Sequence, residues 1–288
     1  MRTIRVLQRL PRPPRARATT TDATKKNRQS DPVAFLIGTT AGVLGSLAGM
    51  GGGFVMIPLL TRAPLKLTQH QAHGTSLCAV TATGLAGACG YWEHVQWESA
   101  AAIAVTGMGT ARLGALATAY LSGTTLRKAL GVLMLVLAPA VPAKKYVVDK
   151  YARNEYDESA CTSADEGTLW RLWKPASIGL ASGFLAGLFG VGGGTIVVPA
   201  LTIATDCTHY QALATSLAAM VLPALAGTVT HYGAGNVKLR VVPALVGGAL
   251  LGGYVGGQYI GLRTNEDTLR YGFSGLLAVL GLRTIMKA

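Results

Sequence analysis

Two glycine triplets, Gly51–Gly53 and Gly192–Gly194, are the residues of this 288-residue chain whose type and placement are best suited to binding a ligand. Each triplet lies inside a long run without charged residues, where every glycine costs a helix about 1 kcal/mol relative to alanine. A short helix starting after such a triplet presents backbone N–H groups and the positive end of its dipole, which suits an anion. The triplets therefore predict two backbone anion sites. The alternative is that they only permit close helix packing.

The triplets belong to an internal repeat. The sequences GVLGSLAGMGGGFVMIPLLT at 42–61 and GFLAGLFGVGGGTIVVPALT at 183–202 share ten of twenty positions at an offset of 141. A second block, QAHGTSL at 71–77, matches QALATSL at 211–217 in five of seven positions. Discontinuous helices at matching positions of two repeats are the best sequence indicator of a transporter site.

The second block duplicates a pair of hydroxyl residues, Thr75-Ser76 and Thr215-Ser216, within a turn or two of the start of an apolar segment. Hydroxyl groups in a membrane can hydrogen-bond an oxyanion, and they can equally satisfy a neighbouring helix. Because the pairs are duplicated beside the glycine triplets, we include them among the candidate site residues.

Arg112 is the only charged residue near the middle of a predicted span. It is either a counter-charge for the substrate anion, a partner for helix-end carbonyls, or a side chain that snorkels to the interface. His73 and His231 either exchange protons near neutral pH or form interhelical hydrogen bonds. The predicted substrate-binding residues are Gly51, Gly52, Gly53, Thr75, Ser76, Arg112, Gly192, Gly193, Gly194, Thr215 and Ser216.

The elements that position these residues are membrane helices. Hydrophobic residues make up 50% of the chain and charged residues 14%, against about 25% charged in ordinary soluble domains. A membrane span needs roughly 20 apolar residues. We predict an all-α integral membrane protein with about eight transmembrane helices in two four-helix repeats, each with a glycine-broken first helix. The predicted spans are 33–60, 69–91, 99–121, 126–142, 175–203, 209–232, 241–261 and 266–285.

The chain divides into four parts. Residues 1–31 form a basic N-terminal tail or an organellar presequence, residues 32–143 the first repeat, residues 144–174 a polar central loop, and residues 175–288 the second repeat. The net charge of +13 is concentrated in the tail and in the loops, which indicates membrane orientation rather than nucleic-acid binding.

The orientation of the two halves has two interpretations. Eight crossings place 19 Lys and Arg residues on the side of the tail and six on the other, which agrees with the positive-inside rule. Both halves then share one orientation. A competing count makes each glycine triplet the tip of a re-entrant hairpin, which leaves three crossings per half and an inverted repeat. It places the central loop opposite the tail, and the charge rule disfavours it.

The repeated motifs resemble the sulfite exporter TauE/SafE family of multi-pass anion permeases. The resemblance covers about 33–285 and depends on GSLAGMGGGFVMIPLL, AGLFGVGGGTIVVPAL, HGTSL, LATSL and AGTVTHYGAGNV at 226–237. The segment AGACGYWEHVQW at 86–97 departs from the family pattern, with Tyr91-Trp92 where the second half has His231-Tyr232. The resemblance implies transport of sulfite, sulfonates or related sulfur-containing anions. Because the family's substrates vary, it implies a transporter more firmly than it implies sulfite.

We therefore predict a secondary transporter of a small anion rather than an enzyme. None of the thirteen acidic residues lies in the core of a predicted span, which disfavours a metal-cation carrier. No cysteine or histidine spacing indicates a metal site, and no cofactor is predicted. An anion channel or a non-transporting scaffold stays an alternative, and an intramembrane enzyme is disfavoured because no nucleophile and base are clustered.

The predicted partners are the small anionic substrate and the lipid bilayer. A coupling proton or ion and the oligomeric state are left open by the sequence. The predicted location is the plasma membrane or, if the tail is a presequence, an organellar membrane.

Overall fold

The computed structural model describes residues 20–152, 168–204 and 208–286, and this part of the chain contains helices but no strand. The structure is 84% helical, which confirms the predicted all-α class. Three stretches are long and apolar enough to cross a membrane, namely Asp31–Ala48, Trp97–Tyr120 and Tyr210–Gly233. Within the described ranges the helices are α1 Thr20–Ala48, α2 Gly53–Leu60, α3 Gln69–Gly90, α4 Trp97–Ala117, α5 Gly123–Ala152, α6 Thr168–Phe189, α7 Gly194–Ala204, α8 His209–Ala219, α9 Val221–Gly233, α10 Val242–Val255 and α11 Glu266–Met286.

The first helix of each repeat is broken at its glycines, as the sequence predicts. Four residues separate α1 from α2, and four separate α6 from α7. In the first break Gly49, Gly51 and Gly52 have φ values of 69°, 72° and 75°, and in the second Gly190 and Gly192 have φ values of 64° and 85°. Glycine alone adopts this left-handed region freely. Both breaks begin two residues before the triplet, and the third glycine of each triplet starts the next helix.

Each break reverses the direction of the chain. Ala41 and Gly52 would lie about 16 Å apart along a continuous helix, yet a methyl group on Gly52 would overlap the Ala41 carbonyl oxygen. In the second repeat a methyl group on Gly193 would lie 3.0 Å from the Ser182 carbonyl oxygen. The pairs α1–α2 and α6–α7 are therefore helical hairpins, named here the first and second hairpin.

Equivalent helices of the two repeats run antiparallel, as α3 and its counterpart α8–α9 show. Near the end of α3, Gly84 packs against Leu217 in α8. Near its start, Gly74 packs against His231, close to the end of α9. A helix whose start contacts the partner's end must run in the opposite direction.

The last helices of the repeats, α5 and α11, show the same relationship. Gly131 in the early turns of α5 packs against Ile285 near the end of α11. Further along α5, the Ala138 carbonyl oxygen accepts a hydrogen bond from Ser274, near the start of α11. Two pairs of equivalent helices thus run antiparallel, so the repeats are inverted.

The expectation that both halves share one orientation is corrected by these helix directions, which fit the competing count. A run such as 33–60 folds back on itself, so its ends lie toward the same face. With two hairpins, the face of the tail collects 17 Lys and Arg residues and the opposite face eight, with Arg112 on neither. Both counts satisfy the positive-inside rule, which is why charge alone favours the wrong orientation.

The helices that follow the hairpins begin at a duplicated cap. Thr68 accepts a hydrogen bond from the backbone N–H of Gln71, whose side chain accepts one from the Thr68 N–H. Thr208 and Gln211 repeat this capping box at the start of α8. Each box satisfies two N–H groups that a helix start leaves unpaired, so it fixes where the helix carrying the Thr–Ser pair begins.

The predicted central loop is shorter than 144–174. Helix α5 continues to Ala152 and α6 begins at Thr168. Residues 153–167 lie outside the described residues, as do residues 1–19 of the predicted tail or presequence.

Candidate functional site

The two hairpins meet at the centre of the bundle through their glycines. A methyl group on Gly53 would lie 2.6 Å from the Gly190 carbonyl oxygen. In the equivalent contact a methyl group on Gly194 would overlap the Gly49 carbonyl oxygen. Each hairpin thus begins its second helix against the break of the other hairpin, at a distance that only glycine allows.

The serine of each Thr–Ser pair fastens the opposite hairpin. The Ser76 hydroxyl lies 2.7 Å from the Gly190 carbonyl oxygen and 2.9 Å from the His73 carbonyl oxygen, so its single proton is shared. The Ser216 hydroxyl donates to the Gly49 carbonyl oxygen at 2.7 Å. These bonds satisfy carbonyl groups that the ends of α1 and α6 leave without helical partners.

The threonines fasten the loops of the opposite repeat. Thr75 accepts a hydrogen bond from the backbone N–H of Lys238, and Thr215 accepts one from the backbone N–H of Gln96, both at 3.0 Å. All four hydroxyl groups therefore bond to the backbone of the other half. This arrangement favours the alternative in which they satisfy a neighbouring element over direct contact with the substrate.

The first glycine of each triplet packs against apolar side chains. Methyl groups on Gly51 and on Gly192 would lie 2.8 Å and 2.9 Å from Val80 and would also approach the sulfur atom of Met220. Helix α2 begins at this point without a side-chain cap. The structure thus brings together ten of the eleven predicted site residues, all buried, in a centre that offers backbone groups rather than charged side chains.

Arg112 is the predicted site residue that lies elsewhere. Its side chain is exposed on α4, five residues before the helix ends at Ala117. Five residues correspond to about 7.5 Å along a helix, which an arginine side chain spans when it snorkels to the interface. This location favours the snorkelling alternative.

His73 and His231 are both buried beside the tip of the second hairpin. Nδ1 of His73 lies 3.3 Å from the Leu188 carbonyl oxygen, and Nε2 of His231 lies 3.1 Å from the Gly187 carbonyl oxygen. The other ring nitrogen of His73 lies 2.8 Å from the side-chain nitrogen of Gln69. Both histidines thus make the interhelical hydrogen bonds that the sequence analysis offered as one alternative.

A cavity of about 210 Å³ lies where α2, α3, α5 and α11 meet. Its described lining includes no acidic residue and consists of Ile57, Pro58, Thr61, Arg62, Gln69, Arg127, Leu130, Arg283 and Thr284. Three guanidinium groups around one cavity create a positive potential that attracts anions.

Sequence reasoning missed this cavity because its arginines are distant in the chain. Arg62 follows α2, Arg127 lies near the start of α5, and Arg283 lies in the last turn of α11. Each was counted only as a loop or helix-end charge. Their convergence depends on the antiparallel packing of α5 on α11, which the same-orientation interpretation does not produce.

The described residues hold no group of three or more His, Cys, Asp or Glu side chains suited to a metal ion. The candidate site is built from backbone groups, hydroxyls, histidines and arginines, and its N–H and guanidinium donors suit an anion.

Comparison with known proteins gives the same family that the repeated glycine motifs resemble. The chain matches the family "Sulfite exporter TauE/SafE" over residues 34–284. It is 29% identical over 238 residues to "Probable membrane transporter protein YunE" of Bacillus subtilis, covering 78% of this chain and 86% of that protein. It is 25% identical over 272 residues to "Probable membrane transporter protein MJ0441" of Methanocaldococcus jannaschii, covering 87% of this chain and 94% of that protein.

A third relative, a probable membrane transporter protein of Xylella fastidiosa (strain Temecula1), is 27% identical over 223 residues, covering 77% of this chain and 80% of that protein. No solved structure shows significant similarity to the chain. The family is one of membrane transporters, and the relatives are named as probable membrane transporters rather than as enzymes. The relatives' names specify no substrate.

Proposed function

Because this chain belongs to the sulfite exporter TauE/SafE family, we propose that it is a secondary carrier of a small sulfur-containing anion such as sulfite or a sulfonate. The observation that carries this proposal is the meeting of two inverted, glycine-broken hairpins at the centre of the bundle. Inverted repeats with discontinuous helices form the substrate sites of several secondary transporters, at the interface between the repeats.

The chemistry of the described residues supports an anionic cargo. The second helix of each hairpin directs its positive dipole end toward the centre, where the backbone N–H groups of its first turn suit an anion. The acidic side chains of Asp31, Glu93 and Glu98 are all exposed, whereas carriers of cations use buried carboxylates.

The inverted repeat also supplies a route to alternating access. Two halves with the same fold and opposite orientation can exchange conformations, which closes one face while the other opens. Ser76 and Ser216 hold the two hairpins by equivalent bonds, so release of either hairpin requires the loss of one such bond.

The orientation follows from the charges. The face of the N-terminal tail carries the larger share of Lys and Arg residues, so it faces the cytoplasm or, in an organelle, the matrix side. The membrane is the plasma membrane or, if the tail is a presequence, an organellar one.

Counterflow in proteoliposomes tests the proposal. Vesicles containing the full chain are loaded with unlabelled sulfite, thiosulfate, sulfate or a sulfonate, and uptake of the same labelled anion is followed. A carrier predicts that anion inside the vesicle accelerates uptake of at least one sulfur anion, whereas flux through a channel shows no such acceleration. Uptake equal to that of protein-free vesicles for the whole panel would refute the proposal.

A further inference from the structure

We infer that the arginine-lined cavity is a second anion site, which binds a sulfur oxyanion at the face of the N-terminal tail before or after it passes the hairpins. This inference extends the proposed function, because it gives the carried anion a place of entry or exit. It is separate from the glycine breaks, since the described lining of the cavity contains no residue of either break.

The cavity has the donors that an oxyanion requires. Each guanidinium group carries five N–H donors in a planar fork that matches two oxygen atoms of an anion. Thr61 and Thr284 also line the cavity, but their hydroxyl groups donate to the carbonyl oxygens of Pro58 and Leu280, so the donors for an anion are the guanidinium groups. Arginines at helix ends normally extend into the lipid headgroup region, whereas these three converge on one cavity from different segments.

A buried amide forms the inner wall of the cavity. Gln69 is 6% exposed, and its side-chain oxygen accepts a hydrogen bond from Nε of Arg127 at 3.4 Å. This bond orients the guanidinium group of Arg127 at the wall of the cavity. Gln69 is therefore a positioning residue for Arg127.

The same amide connects the cavity to the second hairpin. Because the oxygen of Gln69 accepts from Arg127, its nitrogen donates to Nε2 of His73. Nδ1 of His73 must then carry the proton that is donated to the Leu188 carbonyl oxygen. The result is an unbroken polar chain from an arginine of the cavity to the tip of the hairpin from the other repeat. An anion that moves Arg127 would therefore also affect the second hairpin, which the proposed carrier must release during transport.

Binding to the purified full-length protein tests the cavity directly. Thermal stabilisation is titrated with sodium sulfite, thiosulfate and sulfate at constant ionic strength, for the wild type and for Arg62→Gln, Arg283→Gln and the double variant. We expect each substitution to weaken binding about tenfold, the loss of one charge-assisted hydrogen bond. Arg263→Gln is the matched control, because Arg263 is exposed and follows α10, whose end lies toward the opposite face; its binding constant should equal that of the wild type.

Lysine variants test whether the guanidinium group itself is needed, and the comparison of binding with counterflow distinguishes the cavity site from the carrier function. Arg62→Lys and Arg283→Lys keep the charge but lose the fork, so their affinities should fall between those of the wild type and the Gln variants. Unchanged affinity in a folded double Gln variant, or no binding of any of the three anions to the wild type, would overturn the cavity site. Binding by the wild type without counterflow would instead refute the carrier and leave the site standing.

Discussion

The hydroxyl group of Ser76 lies 2.7 Å from the carbonyl oxygen of Gly190, and this bond joins α3 of one repeat to the hairpin tip of the other. Its counterpart, from Ser216 to Gly49, has the same length. The reciprocity shows that the two repeats are not independent bundles, since each break in a helix is satisfied by a side chain of the other half.

Replacing either serine should therefore destabilise both the fold and transport. Ser76→Ala and Ser216→Ala each leave a buried carbonyl without its side-chain donor, at a cost of about 1–3 kcal/mol. We expect a lower melting temperature and slower counterflow for both variants. Ser177→Ala serves as the control, because Ser177 is exposed and bonds only within its own turn. Equal effects at Ser76 and Ser177 would contradict the fastening role.

A Gly→Ala substitution should have opposite effects in a glycine break and in the middle of a continuous helix. Gly52 has a φ of 75°, and a left-handed residue with a side chain costs about 1–2 kcal/mol before any overlap is counted. Gly52→Ala should abolish most uptake and lower the melting temperature. Gly109→Ala, in α4 with open space at the added methyl group, should instead stabilise its helix by about 1 kcal/mol.

Gly193→Ala should have a weaker effect than Gly52→Ala. The added methyl group would lie 3.0 Å from Ser182, a tight contact, but the φ of Gly193 is not in the left-handed region. Side-by-side counterflow and melting curves check this order. Normal uptake with raised melting temperatures in both variants would mean that no backbone site exists at the breaks.

How much of this arrangement the sequence predicts depends on the range of the interaction involved. The breaks are predictable, because three consecutive glycines are a local signal. The reversal at Gly52 is not, because it depends on contact with Ala41 across the hairpin. The arginine cavity is even harder to predict from the sequence, because Arg62 and Arg283 are far apart in the chain and meet only in the folded structure.

Arg112→Gln tests whether the exposed arginine has a role in transport. An arginine that snorkels from the surface of α4 is replaceable by another polar side chain, so counterflow should stay within about twofold of the wild type. Arg283→Gln is the comparison, because it removes a guanidinium group from the cavity. A larger loss at Arg112 than at Arg283 would restore the counter-charge interpretation.

Gln69→Ala should uncouple the cavity from the second hairpin. The substitution removes both the acceptor for Arg127 and the donor to His73, while the three arginines themselves are retained. We expect the maximal rate of counterflow to fall more than the affinity for the anion. Gln258→Ala, at an exposed position, is the control. A change in affinity alone would indicate that Gln69 only shapes the site.

The inverted arrangement of the two repeats, on which the carrier proposal depends, is tested most directly by the loops that follow α3 and α9. Glu93 and Arg240 lie in these equivalent loops, and both are exposed. Each is replaced by cysteine in a variant without the four native cysteines, and labelling by a membrane-impermeant thiol reagent is compared in intact and opened vesicles. Inverted repeats predict that Glu93→Cys and Arg240→Cys are labelled from opposite faces of the membrane. Labelling of both from the same face would contradict the inverted repeat and restore eight crossings with one shared orientation.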